Sequence, residues 1–307
     1  MNILKGILFK LASALMFAIM SALVRFAGET VPVGQVVFFR SAFAILPVVV
    51  IYAWRRELVA AVRTTRLPGH VGRGLIGGIG MFFNFSALAR LPLAEVTAIQ
   101  FASPLMTVAL AAIMLKERVR IYRWSAVVVG FIGVLVMLTP HLEVSNLARH
   151  SSAERIGAAL ALVSAFFNAG AVIQTRRLTD TETTSSIVLY FSVVCALTGL
   201  VTLPFGWKMP NGWELIALVG TGILGGLAHL LLTESYRYAP ASMVAPFDYT
   251  AILWAFVLGY AMFGEIPTTM VFAGAAIVVG AGLYVLWRER QLGLQRAREA
   301  EGPASGP

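Results

Sequence analysis

Residues 219–230 read VGTGILGGLAHL, and Gly220, Gly222 and Gly225 within them reproduce the G-x-G-x-x-G spacing. Between a strand and a helix, that spacing cradles a dinucleotide pyrophosphate, with an acidic residue further on for the ribose. Glu234 follows downstream, but no strand precedes the glycines, which lie inside an apolar run of membrane length. The same glycines recur in GLIGGIG at 74–80, inside a second such run. Small residues on one helix face let neighbouring backbones approach closely in lipid. The motif is therefore a helix-packing pattern, and the chain is to be read as a membrane protein.

Composition agrees. Of 307 residues, 58% are hydrophobic and 13% charged, with a mean hydropathy of +0.81, whereas a soluble domain carries about 25% charged residues. A helix crossing a bilayer satisfies its own backbone and needs about 20 apolar residues. Ten such runs lie near 7–27, 35–54, 74–90, 93–115, 123–140, 156–175, 186–204, 213–233, 240–262 and 268–287. The first, with Lys5 and Lys10 at its front, is longer than a signal-peptide core and is expected to be retained. Cys195 is the only cysteine, which excludes an internal disulfide and a cysteine-based metal centre. His70, His141, His150 and His229 show no ligand spacing, so neither a metal nor a cofactor is expected. There is no GxxxxGK[ST] sequence, so the chain itself offers no ATP-hydrolysing loop.

Lysines and arginines collect on the cytoplasmic side of membrane proteins. Placing both termini in the cytoplasm puts 18 of the 24 Lys and Arg there, including five Arg in RRELVAAVRTTRLPGHVGR. A bacterial-type inner membrane is the expected location, and the lipid bilayer the partner. The formal charge of +9 is thus a topology signal; nucleic-acid binding would need a basic soluble domain that is missing here. The polar tail at 288–307 is expected to be cytoplasmic, and its end, REAEGPASGP at 298–307, disordered.

The chain also repeats itself. An offset of 148 aligns ALARLPLAEVTAIQFASPL (87–105) with SYRYAPASMVAPFDYTAIL (235–253), Pro92 with Pro240, and Glu117 with Glu265. Gly74, Gly77 and Gly78 fall on Gly222, Gly225 and Gly226, while an offset of 151 brings Ser13 onto Ser164 and Arg25 onto Arg176. Five spans per repeat is an odd number, so the second copy enters the membrane from the opposite side. The expected fold is all-α, with ten transmembrane helices in a 5+5 inverted-topology repeat, the halves at 5–140 and 156–287. Such a pseudo-twofold arrangement supports exchange of access between the two sides.

With these paired signatures, which include LKER at Glu117 and FGEIP at Glu265, the chain resembles the EamA-type branch of the drug/metabolite transporter superfamily over about residues 5–287. The resemblance implies a ten-helix basket around a central cavity lined chiefly by spans 1, 3, 4, 6, 8 and 9, carrying small organic metabolites. Glu117 matches a family glutamate at a helix end and is read as a boundary residue. Lys116 replaces the glycine found at Gly264, so the internal motif has drifted.

Ionisable groups within the hydrocarbon are costly and usually face a cavity. Asp248 lies about 12 Å into the ninth span at 1.5 Å per residue, and its repeat counterpart is Gln100. These two are expected to face each other near the repeat interface, for substrate binding or proton coupling. Glu95, Glu234 and His229 are further proton-coupling candidates. Arg40 either snorkels to the interface or neutralises an anionic substrate. Asn84 and Asn168 either bind substrate or bond across helices. Phe82 and Phe85 share one helix face, and Phe247 and Trp254 another, with Tyr249 nearby. A planar substrate stacked between such rings and bonded by Asp248, Gln100 and Asn84 suits this mixture.

The expected function is secondary transport of a small organic metabolite by alternating access. Riboflavin uptake is the named substrate reading, because the resemblance covers bacterial riboflavin carriers. Export of an amino acid or another metabolite is the alternative within the class. A polytopic enzyme would need converging acid, base or metal groups; the candidates are dispersed, and no catalytic residue is expected.

Overall fold

The computed structural model describes residues 3–56, 58–114, 121–142, 152–179, 181–239 and 244–300. Every regular element among them is helical. Seven helices are long and apolar enough to cross a membrane, and three shorter apolar helices bring the total to ten. Spans 1 to 5 are Ile3–Gly28, Val33–Trp54, Leu67–Leu88, Leu93–Met114 and Ile121–Leu142. Spans 6 to 10 are Ser152–Thr179, Thr184–Leu200, Gly212–Tyr238, Thr250–Phe263 and Thr269–Ala300. A short helix, Leu58–Val62, links spans 2 and 3. Lys116, Glu117 and Pro240 of the repeat signature lie outside the described residues.

Local sequence sets the span ends. Pro32 and Pro92 stand immediately before spans 2 and 4, where a missing N–H costs nothing and a fixed φ suits the first turn. Thr183 caps span 7 by accepting from the Ser186 N–H, and Asn211 with Glu214 forms a reciprocal capping box on span 8. Span 9 stops at Gly264, whose φ of 65° a residue with a Cβ adopts only at a cost. Span 4 breaks at Phe101. Pro104 has no N–H to return to the carbonyl of Gln100, four residues back, which accounts for that break. The repeat-equivalent residue, Tyr249, is where a 3₁₀ turn, Ala245–Tyr249, hands over to span 9. The rings of Phe101 and Tyr249 lie 5.0 Å apart.

Packing follows a twofold plan. Span 1 packs most extensively on span 8, and span 6 on span 3; spans 2 and 7 cross each other, as do spans 5 and 10. Individual bonds repeat. Ser13 of span 1 donates to the Ala228 carbonyl at 2.8 Å, and Ser164 of span 6 donates to the Gly80 carbonyl at 2.8 Å. Ser13 pairs with Ser164 at offset 151, and Gly80 with Ala228 at offset 148. The glycines of the opening motif sit in this frame as packing residues. A Cβ built on Gly222 would lie 2.4 Å from Phe43 Cβ, and one on Gly226 would lie 2.4 Å from Pro47 Cγ, both on span 2. Of their copies, Gly74 lies as close to Val194 of span 7, where a Cβ would fall 2.6 Å from Val194 Cβ, while Gly78 faces Cys195 more loosely, at 3.4 Å from Sγ.

Several helix limits differ from the hydropathy reading: span 3 starts at Leu67, not near 74, span 1 at Ile3, span 9 at Thr250, not near 240, and span 10 runs on to Ala300. Arg73, counted above with the loop charges, is therefore inside a helix, and Lys10 lies about two turns into span 1 rather than at its front. A hydropathy scan stops at polar residues, but the backbone ladder continues past them when their side chains turn inward to protein. Lys10 is 2% exposed.

Candidate functional site

A cavity of about 340 Å³ lies among spans 1, 2, 3, 6, 7 and 8. Span 3 supplies Arg73, Gly77, Met81 and Asn84, four residues at helical spacing on one face. Span 6 adds Asn168 and Thr175, span 1 Phe17, span 2 Arg40, span 7 Phe191 and span 8 His229. No Asp or Glu is among the lining residues.

Its polar groups fall into two sets. At one end, Gln100 Nε2 donates to Asn84 Oδ1 at 3.0 Å and to the Ala161 carbonyl at 3.2 Å, while Asn168 Nδ2 donates to Gln100 Oε1 at 2.9 Å. These three amides tie spans 3, 4 and 6 together. The second set is cationic. Arg40 is 4% exposed; its Nη2 lies 3.3 Å from His229 Nε2, and its Nε and Nη1 have no hydrogen-bond partner among the described residues. Arg73 donates from Nε to Thr175 Oγ1 at 3.0 Å, and its Nη1 is likewise unpartnered. Phe191 serves both guanidiniums: its ring centre is 4.0 Å from Arg73 Cζ and 5.9 Å from Arg40 Cζ. The His229 imidazole meets Phe17 edge-on at 5.0 Å.

The sequence candidates thus separate. Arg40, Asn84, Phe85, Asn168 and His229 line the cavity, and Gln100 braces its two asparagines. Arg40 does not snorkel; it is buried because span 2 directs it at the protein interior. Asp248 does not face Gln100. Its carboxylate pairs with Lys10 Nζ at 2.6 Å, with the side chain 54% exposed, and Lys10 also approaches the Tyr236 hydroxyl at 3.3 Å. Lys10 takes that carboxylate, and reading it only as a charge at the front of span 1 hides its inward-facing side chain. Glu234 pairs with Arg55 and Arg237. Glu95 is buried in the first turn of span 4, where a helix N-terminus favours negative charge. Phe82 packs on the hydrophobic core. Tyr249 lines a separate apolar cleft between spans 9 and 10, and neither Phe247 nor Trp254 lines the cavity.

Arg73 is absent from the sequence candidates. The signal for it is spacing: it shares a helix face with Asn84, which becomes visible once span 3 is extended toward its N-terminus.

At the ends of spans 1 and 3 lies a second charged cluster. Arg25 donates to the carbonyls of Leu88 and Leu91 and pairs with Glu265. Glu265 accepts from the Leu93 N–H at 2.8 Å. This ties the end of span 1 to the loop between spans 3 and 4 and to the residue just beyond span 9. Burial pushes the Glu265 carboxyl above its ordinary value, against the opposing pull of Leu93 N–H and Arg25. On the other face, Glu182 in the loop between spans 6 and 7 accepts from the Thr65 N–H and hydroxyl and from the Arg66 N–H. Burial would raise its carboxyl, but these bonds and His70 bring it down to about 2.

Comparisons with known proteins agree with this architecture. The EamA-like transporter family matches residues 4–139 and 155–287. A pseudopaline exporter, CntI, of Pseudomonas aeruginosa is 30% identical over 283 residues, spanning 90% of this chain and 94% of its own. An S-adenosylmethionine uptake transporter of Rickettsia prowazekii is 30% identical over 291 residues, 94% of each chain. A riboflavin transporter of Vibrio cholerae is 29% identical over 280 residues, 90% of this chain and 91% of its own. A solved structure titled only as a crystal structure of a protein superposes with a TM-score of 0.65 at 20% identity, over 94% of this chain and 98% of that one. It shares the fold.

Proposed function

Because the chain belongs to the EamA-like transporter family, we propose that it is a secondary carrier moving a small organic metabolite through the central cavity by alternating access. The observation that carries this reading is the cavity itself, a chamber walled by spans from both repeats that sets two arginines, two asparagines and a histidine among apolar side chains. The halves, 5–140 and 156–287, act as the two moving bodies, and the Arg25–Glu265 cluster holds one end together in the conformation described above. Both termini face the cytoplasm of a bacterial inner membrane, as the arginine distribution supports.

The named relatives include an exporter and importers of unlike compounds, so direction and substrate rest on the cavity's own chemistry. Riboflavin uptake is the finer reading taken from the sequence; Phe17, Phe85 and Phe191 beside the amides of Asn84 and Asn168 suit a planar, hydrogen-bonding ring. Of the titratable candidates for proton coupling, His229 alone lines the cavity.

The test is uptake and efflux in proteoliposomes of the purified chain, against labelled metabolites that include riboflavin, amino acids and organic acids, with and without a proton gradient. Accumulation of at least one compound, lost when the Asn84 amide is replaced by a bulky Leu, is the expected result. No movement of any compound would refute the carrier reading. For orientation, single cysteines in a Cys195→Ser background at Val62 and Met209, which are 53% and 97% exposed, should label from opposite sides, Met209→Cys from outside.

A further inference from the structure

We infer that the transported compound carries an anionic oxygen group, a carboxylate or phosphate, held between Arg40 and Arg73. The inference rests on the carrier reading for the word transported, but the anion site itself stands on separate observations. A buried guanidinium is tolerated when it is paired and its N–H groups are bonded. Here two of them face one cavity, and their Cζ atoms lie within about 10 Å of each other through the shared Phe191 ring. Three of their nitrogens have no partner among the described residues: Arg40 Nε and Nη1, and Arg73 Nη1.

Nothing in the lining supplies the missing negative charge. Among the described residues no acid lines the cavity, and the intramembrane and span-end carboxylates Asp248, Glu234 and Glu265 pair with Lys10, with Arg55 and Arg237, and with Arg25. The cations are also held in position. Thr175 fixes Arg73 Nε, His229 fixes Arg40 Nη2, and Phe191 lies beneath both. A planar guanidinium fork with free N–H groups matches the two oxygens of a carboxylate or of a phosphate. Binding such a group would offset one of the two like charges with a carboxylate, or most of both with a phosphate dianion, and would bring acceptor oxygens to the orphan donors. The amides of Asn84 and Asn168 meet the uncharged remainder of the compound. A neutral flavin would leave the guanidiniums without a counter-charge, so its phosphorylated form, flavin mononucleotide, should bind better than riboflavin.

Two probe pairs are used: 2-naphthoate against its near-isostere 2-naphthamide separates charge from shape, and flavin mononucleotide against riboflavin tests a phosphate added to the same ring. With the full chain in detergent, thermal stabilisation should be seen with at least one anion and be at least about tenfold weaker, by concentration, for its neutral partner. Arg73→Gln should abolish that preference, and Arg73→Lys should keep the preference with weaker binding. Arg237→Gln, at an exposed arginine outside the cavity, should change nothing. If Arg73→Gln fails to fold, the wild-type probe pairs and Arg73→Lys still decide. Equal stabilisation by charged and neutral partners, or an anion preference unchanged in folded Arg73→Gln, overturns the inference. So does transport of a neutral or cationic metabolite at equal rates by wild type and Arg73→Gln, and that result leaves the carrier reading intact. Anion binding that depends on Arg73, with no compound moved in proteoliposomes, upholds the site and removes the carrier reading.

Discussion

Replacing Gly226 with alanine tests the packing that the fold depends on. A Cβ at this position would lie 2.4 Å from Pro47 Cγ, 2.8 Å from the Ala44 carbonyl oxygen and 3.2 Å from Ala44 Cα. Ordinary contacts begin near 3.4 Å, so span 2 and span 8 must separate by roughly 1 Å or the helix must bend. Forcing a methyl into a packed interface costs typically about 1–3 kcal/mol. Alanine also gains up to about 1 kcal/mol in helix propensity over glycine, and a control must carry the same gain. Gly280, exposed on span 10, where an added methyl would meet nothing within 4 Å, is that control. The two alanine variants should therefore differ by about 1–3 kcal/mol, with Gly226→Ala the less stable. At roughly 2–4 °C per kcal/mol for chains of this order, the melting temperatures should stand about 2–12 °C apart. Thermal unfolding in detergent, followed by the fluorescence of the six tryptophans, measures the difference. A Gly226→Ala protein as stable as Gly280→Ala would refute the close approach of spans 2 and 8. Stabilisation of the wild type by NAD would revive the dinucleotide reading of the same glycines.

Three other perturbations probe the charged clusters. Arg25→Met removes the bonds to Leu88 and Leu91 and the pair with Glu265; with burial already opposing the Glu265 charge, a loss of about 1–2 kcal/mol is expected for the joined end. In a Cys195→Ser background, labelling of Ala94→Cys, 1% exposed beside the cluster, should then rise about tenfold; an unchanged rate would remove the cluster from any gating role. Asp248→Asn leaves buried Lys10 without its carboxylate, so it should lower the melting temperature, and adding Lys10→Met should recover most of the loss; additive effects would show that the two residues do not interact. Glu182, held down to about 2 from 4.5, contributes stability that is fully present above pH 4.5 and is lost as pH falls through about 2. Glu182→Gln should flatten that acid limb in a pH series of thermal melts, and an identical limb would place the acid sensitivity elsewhere.

The fold is more legible in the sequence than the site because lipid makes backbone rules strict. Ten apolar runs and two copies of one glycine pattern leave few arrangements, and the Ser13 and Ser164 bonds follow the same register as the offsets. The site depends on side-chain direction, which hydropathy does not encode. Arg73 reads as a loop charge because the apolar run starts after it, although the helix starts six residues earlier at Leu67. Asp248 stands out as the acid deepest in the chain's apolar runs, yet Lys10, about two turns into span 1, meets it. The repeat register puts Gln100 opposite Asp248, but its partners are the two asparagines, whose hydrogen-bonding capacity complements an amide without the cost of pairing a buried charge.

Comparing the two repeats position by position shows where symmetry was kept and where it was given up. At offset 151, Phe43, Ala44 and Pro47 of span 2 correspond to Val194, Cys195 and Thr198 of span 7, and each set receives the equivalent glycines of the opposite half. Those contacts hold the frame, and their sizes vary only within what close-packed helices accept. The cavity positions diverge in chemistry. Arg40 corresponds to Phe191, Phe17 to Asn168, Met81 to His229 and Arg73 to Thr221. Both guanidiniums of the cavity thus come from the first repeat, and the ring beneath them from the second. The frame is thus shared between the halves while the lining is not. On the proposed anion site, the charged group of a bound compound would rest on one half and part of its apolar contact on the other, so that neither half would grip the compound alone.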